Sequence, residues 1–195
     1  MITTRLDKPA VRAAALALRD KMPADVAAKI AGRLADHGPR LAREHGAKVV
    51  AAYWSIGAEI LTLPLLEALD AAGFAVALPV TGKRGQPLVF RQWKPGDPLV
   101  AGKMDIPEPR ASAPVLDPDL LFVPLAAFDR AGQRIGYGAG FYDVTLEALR
   151  ARKPIVAVGV AYAAQEVEAV PREDHDERLD FILTERELIV IPADA

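Results

Sequence analysis

An α/β fold built as one domain is what the sequence predicts, and three observations predict it. Of the 195 residues, 51% are hydrophobic, enough to bury a sizeable core in one unit rather than two. Continuous apolar runs at Val49–Trp54, Phe74–Pro79, Leu120–Pro124 and Ile155–Tyr162 read as strands covered on both faces. A helical pattern from Ile60 to Ala72, ended by Gly73, separates the first two runs. That stretch is therefore a β-α-β unit with parallel strands and a right-handed crossover.

The remaining elements follow in chain order. Asp7 is an N-cap ahead of Lys8-Pro9, and Val11, Ala15, Leu18 and Met22 recur at helical spacing, so a first helix spans about residues 7 to 21. Val26, Ile30 and Leu34 mark a second helix that ends near His37-Gly38-Pro39, with a short further turn to Gly46. Leu88 to Trp93 alternates as a third strand, with antiparallel pairing open to it. Lys94 to Pro118 is rich in Pro and Gly and reads as a long loop, which in a compact domain is usually functional. A polar loop, Asp129 to Arg134, leads from the Leu120–Pro124 strand to a glycine cluster and a helix reaching about Arg150. Phe181–Thr184 and Leu188–Ile191 are closing strands, and no internal repeat or linker divides the chain.

Composition removes several classes of function. Lys and Arg total 24 against 26 Asp and Glu, a formal net charge of -2, and no basic tract offers a footprint for nucleic acid. There is no Cys, which excludes thiol nucleophiles, thiolate zinc sites and disulfides, and favours a reducing compartment. Any metal is then held by oxygen. Met1 to Asp7 lacks the apolar region of a leader, and no stretch is apolar enough to span a membrane. A cytoplasmic protein is expected, with no membrane or nucleic-acid partner.

The most informative segment is Arg134-Ile135-Gly136-Tyr137-Gly138-Ala139-Gly140-Phe141-Tyr142-Asp143, three glycines at alternate positions opening a helix. Glycine permits positive φ and close backbone approach, and a helix start offers unpaired N–H groups and partial positive charge to an anion such as phosphate. Arg134 adds a charge-assisted donor. Glycines before a helix are also common in plain tight turns, so spacing alone leaves that reading open. The G-x-G-x-x-G spacing of a dinucleotide turn and the G-x-x-x-x-G-K-[ST] run of a P-loop are both absent.

This decapeptide carries every fixed position of R-x-G-x-G-x-G-[FY]-Y-D and resembles the hallmark of 5-formyltetrahydrofolate cyclo-ligases. The similarity extends over most of the chain in the family's order: Lys8 with Arg12, Glu59 with Thr62, Ile106-Pro107-Glu108-Pro109, and Pro171 to Asp176 before Asp180. The resemblance implies a three-layer α/β/α sandwich on a largely parallel, mixed sheet.

It further implies a set of site residues. Lys8, Arg12 and Arg134 contact ATP phosphates and serve catalysis, and the turn Ile135, Gly136, Tyr137, Gly138, Ala139, Gly140, Phe141 and Tyr142 is the ATP loop. Its Tyr137 to Phe141 portion also borders the folate. Asp143 and Asp176 match magnesium ligands, and a hard cation that keeps most of its waters needs only one or two carboxylates plus phosphate oxygens. Trp54 and Glu59 match pterin-binding positions, one supplying a stacking face and the other a carboxylate for the N–H edge; Glu108 is a further substrate contact. Read without the family, Trp54 is equally a core residue, Glu59 a first-turn carboxylate and either aspartate a turn residue. At about 100° per residue Lys8, Arg12 and Arg19 share one stripe of the first helix, which can face a cleft or simply solvent. His175 stands beside Asp176 where some relatives have asparagine, and His37 and His45 read as surface residues.

The implied activity is ATP-dependent closure of 5-formyltetrahydrofolate to 5,10-methenyltetrahydrofolate with release of ADP and phosphate. Mg2+ is the expected cofactor, ATP the co-substrate, and a monomer the expected state with a homodimer as its alternative. Competing readings are a non-catalytic folate- or nucleotide-binding module and a sugar-phosphate isomerase or CoA-transferase relative, since similar scaffolds host such functions.

Overall fold

The structure, a computed structural model, describes residues 7–192. The stretch read as lacking an apolar leader lies, up to Leu6, outside the described residues. Helix α1 (Lys8–Arg19) begins where expected: the Asp7 carboxylate accepts the Ala10 N–H at 2.9 Å, and Pro9 sits in the first turn, where its missing donor costs nothing. Helix α2 (Ala24–Glu44) is one continuous helix where two were expected, and Pro39 lies inside it. The reason is packing against α3 (Leu63–Ala71). A Cβ at Gly38 would come within 2.2 Å of Leu65 Cδ1, so the Gly-Pro pair that punctuates the sequence is instead a buried close-approach surface. The α2 helix stops only before Gly46, at φ 64°.

Strands β1 (Val49–Ala51) and β2 (Ala75–Val80) flank α3 and pair in parallel, as predicted. Strand β1 is shorter than its apolar run because Ala52 to Trp54 leave the sheet toward the cavity described below. Strand β3 (Val89–Gln92) pairs antiparallel with β2. The expected 94–118 loop is partly regular: β4 (Leu99–Ala101) and β5 (Pro107–Pro109) form an antiparallel ribbon, and β6 (Val115–Leu116) joins the edge at β3. Strands this short and interrupted by proline carry too little alternation to be read from sequence. After β7 (Leu120–Pro124), the polar loop proves to be the turn of a hairpin between β8 (Ala127–Phe128) and β9 (Arg134–Ile135). Buried Asp129 holds it, accepting N–H bonds from Ala131, Gln133 and Val170. Helix α4 (Phe141–Arg150), β10 (Val156–Val160), β11 (Phe181–Leu183) and β12 (Leu188–Val190) complete the chain.

The main sheet has the order β12-β11-β10-β7-β1-β2-β3-β6, parallel from β11 to β2 and antiparallel at both edges. Helices α2 and α3 cover one face through Ile30, Leu34, Leu65 and Leu69 against Val50, Leu120, Phe122 and Val158. Helix α4 covers the other through Leu146 and Leu149 against Leu121, Val123 and Ala157. The fold is thus a mixed, mostly parallel α/β sandwich of three layers. Helix α1 stands apart from these layers and packs Val11 and Ala15 on Ala127, Ile135 and Val170 of the hairpin region. From β1 the chain proceeds to β2 on one side, while β7, on the other side of β1, leads to β10 and β11. The order reverses between β1 and β7, and a crevice at the carboxyl ends of strands at such a point is where open α/β sheets bind ligands.

Candidate active site

A cavity of about 470 Å³ opens at that switch point. Tyr53 and Trp54 after β1, Pro124 at the end of β7, Pro79 and Thr81 at the end of β2, the 136–143 turn and the inner side of α1 line it. The glycine turn forms its roof because of backbone geometry. Gly138 and Gly140 take φ values of 97° and 71°, a region L side chains enter only with strain, whereas Gly136 does not need it. Gly140 is the N-cap of α4 and supplies no side-chain cap, which leaves the first N–H groups of α4 for another acceptor.

Two arginines brace this turn. Arg12 donates from Nε to the Gly136 carbonyl at 2.7 Å, and its guanidinium carbon lies 3.6 Å from where a Cβ on Gly138 would stand. Arg134, with a side chain 3% exposed, donates to Asp143 Oδ1 at 2.8 Å and to the Glu177 carbonyl. Burial pushes the Arg134 pKa down, while the charges of Asp143 and Asp176 oppose that and keep the cation favourable. Asp143 Oδ1 also accepts the Glu177 N–H at 3.2 Å, which ties the start of α4 to the 173–177 loop.

On the same stripe of α1, Lys8 donates to both oxygens of Asp176 at 2.9 and 2.7 Å and to Glu173 at 3.0 Å. Burial alone would lower the Lys8 pKa, but these two carboxylates raise it. Arg19, at the far end of the stripe, reaches the Tyr137 hydroxyl. All three basic residues therefore face the turn and its neighbouring loop, and the solvent-facing reading of the stripe fails.

The opposite wall is aromatic. Trp54 packs edge-on against buried Trp93, with ring centres 5.7 Å apart. The 55–62 loop is drawn back on itself: Ser55 Oγ donates to the Ile60 carbonyl at 2.8 Å, Thr62 Oγ1 to the Tyr53 carbonyl at 2.6 Å, and Glu59 Oε2 accepts the Ile56 N–H at 2.9 Å. This fold-back brings the Glu59 carboxylate to the cavity wall. Burial raises its pKa, against the Ile56 N–H, Tyr137 and Arg19, which favour the charged form. Burial likewise raises the pKa of Tyr137 and Tyr142, with Glu59 adding to it.

Most residues expected at the site line this cavity or brace its turn, whereas Lys8, Asp176 and Glu108 are not among its lining residues. The Glu108 carboxylate is buried beside Gly102 and accepts the Thr81 N–H at 2.7 Å, which pins the end of β2. The His175 side chain is 72% exposed and lies 3.4 Å from Glu173. His45 is exposed and His37 half-buried. Sequence reasoning missed Tyr53, Leu88 and Thr81 as lining residues and gave Arg19 no site role. Arg19 carried a signal in its spacing from Lys8 and Arg12; the others carried none, since an apolar strand end reads as core.

The profile of the 5-formyltetrahydrofolate cyclo-ligase family matches residues 4–185. The chain is 37% identical over 152 residues to the 5-formyltetrahydrofolate cyclo-ligase of Haemophilus influenzae, covering 75% of this chain and 81% of the relative. It is 38% identical over 143 residues to that of Escherichia coli K12, covering 71% and 78%. The solved structure of Aquifex aeolicus 5,10-methenyltetrahydrofolate synthetase superposes with a TM-score of 0.78 at 25% identity, covering 94% of this chain and 92% of that one. On the strength of the profile and of relatives matched over most of their length, this chain belongs to the 5-formyltetrahydrofolate cyclo-ligase family.

Proposed function

We propose that the protein closes 5-formyltetrahydrofolate to 5,10-methenyltetrahydrofolate at the expense of ATP. The observation that carries this reading is one cavity lined both by a glycine turn with a helix start and by an aromatic face plus a carboxylate, Trp54 and Glu59. A phosphate donor and a pterin can meet there.

In the proposed reaction the N5-formyl oxygen forms a bond to the γ-phosphorus of ATP and ADP leaves. N10 then attacks the formyl carbon, the carbon–oxygen bond breaks, phosphate departs with that oxygen, and N10 loses its proton as the methenyl bridge forms. Phosphorylation makes a poor leaving group into a good one. The protein's part is orientation and charge neutralisation rather than a covalent intermediate. The turn Ile135 to Tyr142 cradles the polyphosphate, Arg134, Lys8 and Arg12 neutralise it, and Trp54, Glu59 and the Tyr137 to Phe141 segment orient the pterin.

Magnesium fits the donor set. Asp143 Oδ1 is engaged by Arg134 and Glu177, leaving Oδ2 without a protein partner among the described residues, and Asp176 is held by Lys8. Both carboxylates act on Arg134. Asp143 and Asp176 would hold the ion, Lys8 turning from Asp176 to a phosphate oxygen; when bound, the ion neutralises charge on the transferring phosphoryl group. Action in the cytoplasm, as a single domain, fits the absence of Cys and the two cores that share one sheet.

The test is an absorbance assay for methenyltetrahydrofolate with and without Mg-ATP. Product formed only with Mg-ATP supports the reading; binding of both substrates without product refutes it.

A further inference from the structure

Four charged side chains among the described residues line the cavity: Glu59, Arg134, Asp143 and Arg19. The first three have roles above, and Arg19 does not. Its side chain, 14% exposed, ends α1. Nη1 donates to the Tyr137 hydroxyl at 2.9 Å, the guanidinium carbon stands 5.8 Å from the Tyr137 ring centre, and Nε and Nη2 donate to Asp20 Oδ1 at 3.1 and 3.0 Å. Tyr137 needs such an anchor. It is 44% exposed, sits between Gly136 and Gly138 on a turn, and has no packed neighbour in sequence to fix its ring. Having accepted from Arg19, its hydroxyl keeps one proton for a second partner, and the Glu59 carboxylate lines the same cavity.

We propose that Arg19 is a positioning residue for the folate pocket: through the Tyr137 hydroxyl it fixes the Tyr137 ring as a cavity wall and orients Glu59 for the N–H edge of the pterin. The inference rests on the folate reading of the cavity given above. A direct role on the polyphosphate is disfavoured by position, because Arg19 lies about 16 Å along the helix axis from Lys8 and three of its N–H donors are engaged by Asp20 and Tyr137.

Folate affinity without ATP isolates the effect, read as quenching of the Trp54 and Trp93 emission by 5-formyltetrahydrofolate. Arg19→Gln and Tyr137→Phe are each expected to raise Kd about tenfold, and the double variant no more than either alone, because both break one chain of contacts. In turnover, Arg19→Gln raises KM for the folate by a like factor and leaves kcat within about twofold. Unchanged Kd in both single variants, or a rise confined to KM for ATP, overturns the proposal. Tyr137→Phe keeps the ring and reads the hydroxyl contact even if Arg19→Gln fails to fold. Wild-type protein that binds the folate but yields no methenyl product refutes the proposed reaction while the Kd comparison still decides the role of Arg19; wild-type protein that binds no folate refutes both.

Discussion

Along the wall formed by Tyr53, Trp54 and Leu88, the side chains are held by the core behind them: Tyr53 is 5% exposed and Trp54 leans on Trp93. Along the facing wall, α1 and the glycine turn are held by charges that pair with one another, Lys8 with Asp176, Arg134 with Asp143 and Arg12 with the Gly136 carbonyl. The aromatic wall is formed before any ligand arrives, because burial of apolar surface holds it. The charged wall is satisfied by its own partners, and an anion must replace some of them. Under the proposed function, the pterin contact at Trp54 rests on packing, and phosphate binding on an exchange of ion-pair partners.

The largest effect expected tests the charged wall at its most buried pair. Arg134→Ala or Asp143→Ala should retain the fold and lower kcat by about 100- to 1000-fold, the cost of removing one preorganised charged group from phosphoryl transfer. Circular dichroism and the absorbance assay measure both together, and wild-type turnover in either variant would erase the distinction between the walls. Next, Trp54→Ala should weaken folate binding by about ten- to a hundredfold, the loss of one stacking face, and leave KM for ATP unchanged. An equal change in both constants would mean the walls are not separate.

Lys8→Gln should act the other way, raising KM for ATP about tenfold with folate Kd unaltered, since one partly exposed charged contact is lost. The smallest effect concerns pH. Glu59 has a raised pKa, so the folded protein binds more protons than the unfolded chain just above the ordinary carboxylate range, and stability falls as pH rises through that window. Thermal midpoints between about pH 4 and pH 7 should decline slightly in wild type and flatten in Glu59→Gln; a parallel decline in the variant would assign the slope to another group.

How far each wall was legible differs for the same physical reason. The charged wall was read almost completely, because glycine at φ 97° and 71° and cations one helical turn apart are requirements of local geometry. The aromatic wall was read only at Trp54 and Glu59. Leu88 and Tyr53 look like core residues, and they line a cavity only because β1 and β2 end beside β7. Glu108 shows the limit from the other side. The resemblance implied a substrate contact there, and only the tertiary structure decided that β5 folds back on β4 and sets its carboxylate against the Thr81 N–H. The Gly38-Pro39 break failed similarly, since contact with Leu65 overrides a local stop signal.

The amino-acid order alone determined the parallel α/β character, the capped first helix, the glycine turn and the basic stripe, since each depends on residues within a few positions of one another. Only the tertiary structure decided that α2 runs unbroken through proline, that the 94–118 segment carries strands, and that Arg19 meets Tyr137 in a cavity Glu59 also lines. Those outcomes depend on partners far apart in the chain, such as Gly38 with Leu65 or Arg19 with Tyr137, and local propensity carries no information about which distant surface will arrive.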